Sequence, residues 1–401
     1  MTWVETFQPG AFGPPDGSIE IRNLRGVVSG RLGERVLELE ILRAENGMVV
    51  SLGGTPAPAD VVVDANGAVA VPGLIDTHLH VVFGDWTPRQ DTIGFIESYM
   101  HGGVTQAMSA SEVHLPGRPS DREGVKALAV AAQRAFTAFR PGGVKVHAGS
   151  VICEPVLQDT DFAWLASQGV RLMKVGFGAF ADPADAAPQV AWARANGFIV
   201  MSHSGGASIP GSKPITVDHL LAMSPDIAGH VNGGTSSLPD EDIDRLVRNS
   251  SIALQIVQAG NLRSALVVLR AAQAAEGLDR IILGTDTPSG TGVMPLGIIK
   301  TVCELSSLGG FPATDVLAMA TGNAARVLHI DEGIVDVGRP ADVVLLQEPL
   351  GGTQADPLRA IENGDIPGIC AVVIDGQVRA LRSRNTPAPA KNAVVQTRST
   401  R

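Results

Sequence analysis

Between residues 73 and 330 the sequence repeats one pattern, a short apolar run followed by a longer stretch with helical spacing that is often rich in alanine. Apolar runs of about four to eight residues fit buried strands, and strands that alternate with helices form parallel sheets. Eight such units over about this length predict an α/β fold, a (β/α)8 TIM barrel. The apolar runs end near His80, Ser109, Ala148, Lys174, Ser202, His230, Gln255 and Leu283, and the helical stretches include 124–139, 183–196, 240–249 and 261–276.

Both ends of the chain have a different sequence pattern, in which short β-type runs are separated by turn signals. This pattern covers residues 1–72 and returns after residue 330, where the dipeptide Asp375-Gly376 is a hairpin signal. We therefore expect 1–72 and 331–384 to form one small β domain beside a barrel of residues 73–330. Residues 385–401 are polar and contain proline, so they are predicted to be a tail or an arm onto a neighbouring subunit.

The composition narrows the class of partner. The formal net charge of −10 comes from scattered acids, which disfavours a nucleic acid or an anionic membrane and leaves a small molecule. No apolar run approaches the roughly 18 to 20 residues that span a bilayer, and the first residues lack a basic segment followed by an apolar one, so we expect a cytoplasmic protein. The three cysteines are dispersed without CxxC spacing, which supports neither a disulfide framework nor a cysteine metal site.

The strongest chemical signal is the segment VPGLIDTHLH, an apolar run that ends in His78 and His80. Side chains two apart on a strand point to the same side, so both imidazoles can face the barrel axis and bind one ion. Asp76 lies two residues earlier in the same phase and is a candidate to orient a ligand through a hydrogen bond. An HxH pair alone is weak evidence, because histidines also occur at surfaces and in packing positions.

Further ligand-type residues lie at other predicted strand ends, namely Lys174, His203, His230 and Asp286. The first three follow one another at about one βα repeat, and the fourth comes about two repeats later. Taken singly, the lysine can be solvated, each histidine can be a hydrogen-bonded loop residue, and the aspartate can cap a helix. Together with the HxH pair they direct six ligand-type side chains to the carboxyl-terminal mouth, where barrel enzymes have their active sites. We therefore favour one shared site.

With these residues in place, the sequence resembles the amidohydrolase superfamily over nearly its whole length. The matching features are VPGLIDTHLH, the fourth-strand lysine, the two later histidines, the eighth-strand aspartate and the closing TGNAARVL…GIVDVGRPADVVLL. The resemblance implies a binuclear metal centre in the barrel and a small β-sandwich domain built from both terminal segments. It also implies that His78, His80 and Asp286 bind one metal, that His203 and His230 bind the other, and that Lys174, carboxylated by CO2, bridges them.

A carbamate on Lys174 agrees with elementary electrostatics, because an unmodified lysine, with a reference pKa of about 10.4, would place a positive charge beside two cations. The carbamate reverses that charge and offers two oxygens. Two divalent ions would lower the pKa of a bridging water toward about 7 and so supply hydroxide. Asp286 can then accept the proton and pass it to the departing nitrogen. Zinc is the default ion for histidine and carboxylate ligands, and iron, manganese or cobalt would also fit.

Several loop segments resemble those of superfamily members that open the ring of a tetrahydro-oxonicotinate, among them HGGVTQAMSA, HSGGASIPGS, GHVNGGT and TPSGTGVMPLGI. We therefore favour hydrolysis of a C–N bond in a cyclic amide or enamide. Those members carry a glutamate where this chain has Lys174, which leaves the metal identity and the substrate open. The alternatives are related hydrolases of N-acyl amino acids, dihydropyrimidine-like rings or aminated heterocycles, and a non-catalytic oligomeric scaffold. The resemblance also suggests a homo-oligomer, namely a tetramer.

A cyclic amide that carries a carboxylate needs a cation or N–H donors near the mouth. The candidates for such a contact are Arg89, His114, Arg118, Lys145, His147 and Asn232. His147 is expected closest to the mouth, at the end of the third strand, as a substrate contact or as a partner of a metal ligand. Each of the others can equally be solvated or structural.

Overall fold

The computed structural model describes residues 16–81, 94–111, 117–207, 209, 211–233, 236–288 and 292–397, and it is a mixed α/β chain, as predicted. The strands are β1 (Ser18–Arg22), β2 (Gly26–Val27), β3 (Leu42–Glu45), β4 (Met48–Leu52), β5 (Val61–Asp64), β6 (Val69–Pro72), β7 (Leu74–Leu79), β8 (Val104–Ser109), β9 (Lys145–His147), β10 (Ser150–Ile152), β11 (Leu172–Val175), β12 (Ile199–Ser202), β13 (Ile227–Ala228), β14 (Ala253–Val257), β15 (Ile281–Gly284), β16 (Val343–Gln347), β17 (Gly368–Ile374), β18 (Gln377–Leu381) and β19 (Val394–Thr397). The α-helices are α1 (Phe95–Met100), α2 (Arg122–Ala138), α3 (Asp159–Ser167), α4 (Ala187–Ala195), α5 (Val217–Met223), α6 (Asp240–Asn249), α7 (Leu262–Ala274), α8 (Gly297–Gly309), α9 (Ala313–Met319), α10 (Gly322–Leu328) and α11 (Pro357–Asn363).

The strands β7 to β15 run parallel and follow one another in chain order, β7 to β9 in one sheet and β10 to β15 in another. The third predicted strand is divided into β9 and β10 because Gly149 between them has a φ of +90°, which a strand does not accommodate. The last strand adjoins the first, since Asp286 N donates to His78 O and His80 N donates to Thr287 O, both at 2.8 Å. This order and this contact are those expected of an eight-stranded barrel.

Five of these parallel strands, β7, β8, β11, β14 and β15, are buried on both sides, as parallel strands covered by helices must be. The helices around them begin at residues that satisfy free backbone N–H groups. Asp121 accepts from Gly124 N at the start of α2, and Asn261 accepts from Ser264 N at the start of α7. The amphipathic faces of these helices pack on the strands, so the polar side chains at the carboxyl ends of the strands are held by a rigid core.

The terminal segments form two five-stranded sheets, one in the order β19-β5-β1-β3-β4 and the other in the order β18-β17-β16-β6-β2. The second sheet joins the two ends of the chain, because β16 pairs antiparallel with β6 and places Val344 opposite Val71. Alternate side chains of both sheets fill a common apolar core that includes Ile21, Val63 and Val373. Both terminal segments therefore build one two-layered β structure beside the barrel.

Residues 385–397, which were predicted to belong to a tail or to an arm onto a neighbouring subunit, pack on their own chain instead. Asn385 Nδ2 donates to Ser98 O at 2.9 Å, and Ala390 N donates to Glu348 O at 2.9 Å. β19 then pairs antiparallel with β5 as the edge strand of the first sheet. The polar composition that suggested a tail is that of an exposed edge strand. Such a strand buries few apolar side chains, so its sequence looks like that of a tail. The β structure thus extends to residue 397.

In the described part of the chain, no helix is both long enough and apolar enough to cross a lipid bilayer.

Candidate metal centre

The ligand-type side chains predicted from the sequence converge at the carboxyl ends of the barrel strands. His78 lies at the end of β7, with His80 two residues on, and Lys174 lies in β11. His203 follows β12 directly, His230 follows β13, and Asp286 follows β15. Lys174 and His78 are fully buried, the other three imidazoles are nearly so, and the Asp286 carboxylate is 22% exposed. The cluster is therefore almost enclosed but open on the side of Asp286.

Three of these residues form a compact donor set. Asp286 Oδ1 lies 2.9 Å from His80 Nε2 and 3.3 Å from His78 Nε2. One ligand atom from each of the three residues lies within 4.8 Å of the others. Two imidazole nitrogens and a carboxylate oxygen at this spacing are a donor set that zinc and related divalent ions accept.

The remaining imidazoles form a second pair beside the first. His203 Nδ1 and His230 Nε2 lie 3.0 Å apart, and the ring of His230 lies 5.4 Å from that of His78 between centroids. The Gly206 carbonyl can only accept, so His203 donates Nε2–H to it at 2.8 Å and presents the lone pair of Nδ1 to the cluster. Lys174 Nζ lies 3.4 Å from His78 Nε2, within the same cluster.

The backbone of two of these residues is unusual. Asp286 has a φ of 57° and His230 a φ of 37°, the left-handed region that residues other than glycine seldom adopt. Such conformations cost of order 1–3 kcal/mol and persist where neighbouring groups hold them. Asp286 N donates to His78 O, and His230 N donates to the side-chain oxygen of Gln255. The strands therefore hold both side chains in directions that relaxed backbone would not give.

Burial disfavours positive charge at three of the imidazoles and at Lys174. It lowers the pKa of His203 to about 4 and holds the pKa of His78 and of His230 well below the usual value, helped at His78 by the Lys174 ammonium and at His230 by His203. Burial also lowers the pKa of Lys174 to about 8. At Asp286, burial opposes the charged form, but His78 and the hydrogen bond from His80 outweigh it and hold its pKa well below the usual value. Neutral imidazoles around a carboxylate are the protonation states that metal binding needs, so the residues present fit divalent ions.

Asp76 is not among the side chains that could bind an ion directly. Its carboxylate accepts from Thr285 Oγ1 at 2.6 Å, from Thr285 N at 2.9 Å and from His78 N at 3.1 Å. Burial raises the pKa of this carboxyl to about 7, although these hydrogen bonds act in the opposite direction. Asp76 thus ties β7 to the segment that carries Asp286, through the backbone of His78 rather than through its ring.

Two of the expected substrate contacts, Arg118 and Asn232, are engaged by partners within the protein. Arg118 pairs with Glu154 and donates to Phe177 O at 2.7 Å, so its guanidinium holds a loop at the mouth. Asn232 donates to Val257 O at 2.9 Å and accepts from Val257 N at 2.8 Å, which uses its amide within the barrel wall. Arg89 and His114 lie outside the described residues and stay predictions.

His147 and Lys145 lie at the amino-terminal end of the barrel rather than at the mouth. The ring of His147 contacts Gln106 Oε1 at 2.8 Å, and Gln106 in turn donates to Asp342 at 2.9 Å. Lys145 contacts Asp342 and two further carboxylates. The predicted position of His147 at the mouth was therefore wrong. β9 is only three residues long, and the break at Gly149 separates it from β10, the half of the strand nearer the mouth.

Two residues near the cluster were not singled out by sequence reasoning. Gln255 of β14 is fully buried and accepts from His78 Nδ1 at 2.6 Å. Phe177 lies at the mouth, with its ring 5.9 Å from that of His203 and 6.0 Å from Lys174 Nζ. A polar residue in the middle of an otherwise apolar strand was a usable signal for Gln255. No local signal marked Phe177, because an isolated phenylalanine in a glycine-rich segment has no periodic pattern.

Several known proteins are similar to this chain in sequence or in structure. A model of the amidohydrolase family matches residues 223–379. Enamidase of Eubacterium barkeri is 42% identical over 378 residues, which cover 93% of this chain and 98% of that protein. A crystal structure of enamidase, described as a member of the amidohydrolase superfamily, is similar with a TM-score of 0.90 at 41% identity and covers 94% of this chain and 100% of that one. Adenine deaminase of Deinococcus deserti is 27% identical over 376 residues, which cover 86% of this chain and 61% of that protein.

The chain therefore belongs to the amidohydrolase family, as its sequence motifs predicted. Its likeness to a solved member implies the TIM-barrel fold. The protein is a metal-dependent hydrolase of C–N bonds other than peptide bonds, and it acts on a small molecule. The alternative of a scaffold without chemistry is set aside by the same likeness, which extends over almost the whole chain.

Proposed function

We propose that this protein hydrolyses a C–N bond of a cyclic amide or enamide at a pair of divalent ions. The observation that carries the proposal is the convergence of four imidazoles, a carboxylate and a lysine from five barrel strands at one buried place. His78, His80 and Asp286 would bind one ion, and His203 and His230 the other. Zinc is the first choice for both positions, with iron, manganese or cobalt as alternatives.

Lys174 would bridge the two ions as a carbamate. The unprotonated amine is the form that adds CO2, with formation of an N–C bond and loss of one proton. A pKa of about 8 leaves roughly a tenth of the amine unprotonated at pH 7, whereas an ordinary lysine has less than about a thousandth. The position of Nζ, 3.4 Å from His78 Nε2 and fully buried, supports a bridging role for the carbamate oxygens.

The remaining chemistry can be assigned to the chain's own residues. When bound, the two ions would act as Lewis acids toward water and toward the carbonyl of the substrate. Asp286 would accept a proton from the attacking water and pass it to the nitrogen of the breaking bond, for which its partial exposure leaves access. His78, His203 and His230 stay neutral and keep their lone pairs for the ions.

The substrate class is proposed from the likeness to enamidase, which extends over nearly the whole of both chains. The ring of Phe177 beside His203 and Lys174 offers a flat apolar surface of the kind that a planar ring contacts. The likeness to adenine deaminase makes an aminated heterocycle the second candidate. We further propose that the eight strands close into a barrel, that both terminal segments form its β-sandwich domain, and that the chain assembles as a homotetramer.

Two measurements on the purified protein test this function. The first is the content of zinc, iron, manganese and cobalt per chain, before and after incubation with zinc and bicarbonate. The second is turnover of a panel of lactams, cyclic imides, cyclic enamides, aminopurines and N-acyl amino acids. Near two ions per chain and turnover of cyclic amides or enamides are expected. Turnover confined to linear N-acyl amino acids would remove the cyclic substrate, and deamination of aminopurines alone would favour the second candidate.

A further inference from the structure

Gln255 is a fully buried amide whose polar atoms are all used inside the barrel. Its Nε2 donates to Thr77 Oγ1 at 2.8 Å and to Thr77 O at 3.1 Å. Its Oε1 accepts from His230 N at 3.2 Å and from the ring of His78 at 2.6 Å. A buried amide with these partners joins β7, β14 and the segment after β13.

The orientation of this amide is fixed by two backbone groups. The carbonyl of Thr77 can only accept, so the nitrogen of Gln255 must face it, and the N–H of His230 can only donate, so the oxygen must face that. The same oxygen then faces His78 Nδ1, which must carry a proton in order to donate. In a neutral imidazole this leaves the lone pair on Nε2, the atom that lies 3.3 Å from Asp286 Oδ1 and 3.4 Å from Lys174 Nζ.

Gln255 also acts on the second pair of imidazoles. His230 has its φ of 37° next to β14, and Gln255 holds that segment twice, through its side chain at His230 N and through its backbone O at Val231 N at 2.9 Å. A strained backbone of this kind keeps its direction where its neighbours hold it. One side chain therefore contacts a proposed ligand of each ion.

We propose that Gln255 is a positioning residue for the metal pair, which sets the tautomer of His78 and the direction of His230 at the same time. The inference rests on the proposed metal centre and goes beyond it, because it assigns the coupling of the two ion positions to a residue that binds neither ion. Residues that hydrogen-bond to metal-binding histidines commonly change metal affinity about 10–100-fold when they are removed.

The test compares Gln255→Leu, which removes the acceptor, with Gln255→Glu, whose protonated carboxyl keeps an oxygen facing His78 Nδ1 and an O–H donor facing Thr77 O. Metal affinity is measured by competition of the metal-free protein with a chelator for Zn²⁺, and the cobalt-loaded proteins are compared by their visible absorption. Asn323→Leu is the matched control, since Asn323 is another buried amide, which donates to Leu278 O and Ile281 O at 3.0 Å. The midpoint of thermal unfolding of each metal-free protein reports the purely structural loss.

Gln255→Leu is expected to bind both ions about 10–100-fold more weakly, with an altered cobalt spectrum, while Gln255→Glu stays within a few-fold of the wild type. Asn323→Leu is expected to lower the unfolding midpoint and to leave metal affinity unchanged. If Gln255→Leu binds both ions as the wild type does, Gln255 is structural and the inference is wrong; weakening of one ion alone also contradicts it. A wild type that binds no divalent ion removes the metal centre itself, and with it this role.

Discussion

Lys145 and Lys174 lie on the third and fourth strands of the barrel, both largely buried, yet their surroundings are opposite. Lys145 Nζ lies 2.7 to 3.1 Å from carboxylate oxygens of Asp375, Glu332 and Asp342. Burial acts against its charge, but Asp342 and the other two carboxylates outweigh burial and raise its pKa. Among the described residues Lys174 makes no ion pair, and its nearest polar neighbours are His78 and the sulfur of Met201.

The comparison separates a structural lysine from a reactive one. An ammonium that faces three carboxylates is charge-compensated and resists loss of its proton, so it holds the barrel to the β structure. An ammonium that faces imidazoles and a thioether is destabilised by burial, and its pKa falls to about 8. Both residues are lysines and both are largely buried, so the partners decide what each lysine can do.

The largest expected effect is that of Lys174→Ala. Loss of the proposed bridge should lower metal content and reduce turnover by at least about 10³-fold, which corresponds to about 4 kcal/mol of transition-state stabilisation. Metal analysis and steady-state kinetics measure both, and added short carboxylates should restore part of the activity. The matched control is Lys145→Met, which should keep its metal. Unchanged metal content and turnover in Lys174→Ala would remove the distinction between the two lysines.

The second effect concerns stability at the other end of the barrel. Lys145→Met leaves three carboxylates facing one another without a cation. Removal of one partner of a buried ion pair lowers the free energy of unfolding by about 3–5 kcal/mol. The free energy of unfolding in urea measures this loss, and turnover per folded, metal-loaded molecule should stay as in the wild type. The double variant Lys145→Met with Asp342→Asn should recover part of the loss. If Lys145→Met alone has wild-type stability, Lys145 and its three carboxylates do not hold the barrel to the β structure.

The third effect is the pH dependence of the metal-free protein. The folded-state pKa of His203, about 4, lies below its value of about 6.5 in the unfolded chain, so the unfolded state takes up the proton first. The contribution of His203 to the free energy of unfolding is fully present above pH 6.5, and it falls by about 3 kcal/mol as the pH drops to about 4. Urea unfolding of the wild type and of His203→Gln at pH 7 and pH 4.5 measures the contribution.

The control for this prediction is His147→Gln at the opposite end of the barrel. Burial also lowers the pKa of the His147 imidazole, so its contribution to stability is likewise expected to fall as the pH drops. Bound metal should enlarge the loss of unfolding free energy between pH 7 and pH 4.5 that is due to His203. It should leave the loss due to His147 unchanged, because only the histidines at the mouth are proposed ligands. An equal response of both variants to metal would contradict the assignment of His147 to the structural end.

Much of the barrel was readable in the sequence because each strand is short, apolar and followed by a helix. The predicted strand ends at Ser109 and Ser202 coincide with the ends of β8 and β12. The polar residues at such ends stand out against apolar runs, which made His78, His80 and Asp286 visible as a group. The division of the third strand was not readable, because the sequence does not show that Gly149 adopts a positive φ. The pairing of β19 with β5 was not readable either, since it depends on contacts between residues distant in the chain.

The sequence by itself determined that the six ligand-type side chains meet at the carboxyl ends of the strands, because alternation along a strand and the repeat length of a βα unit are local properties. The tertiary structure alone decided what surrounds them. It placed Lys145 among carboxylates and Lys174 among imidazoles, turned Arg118 and Asn232 to partners within the protein, and set Gln255 between His78 and His230. Burial and the identity of non-local neighbours govern charge, tautomer and reactivity, and neither is written in any single stretch of the chain.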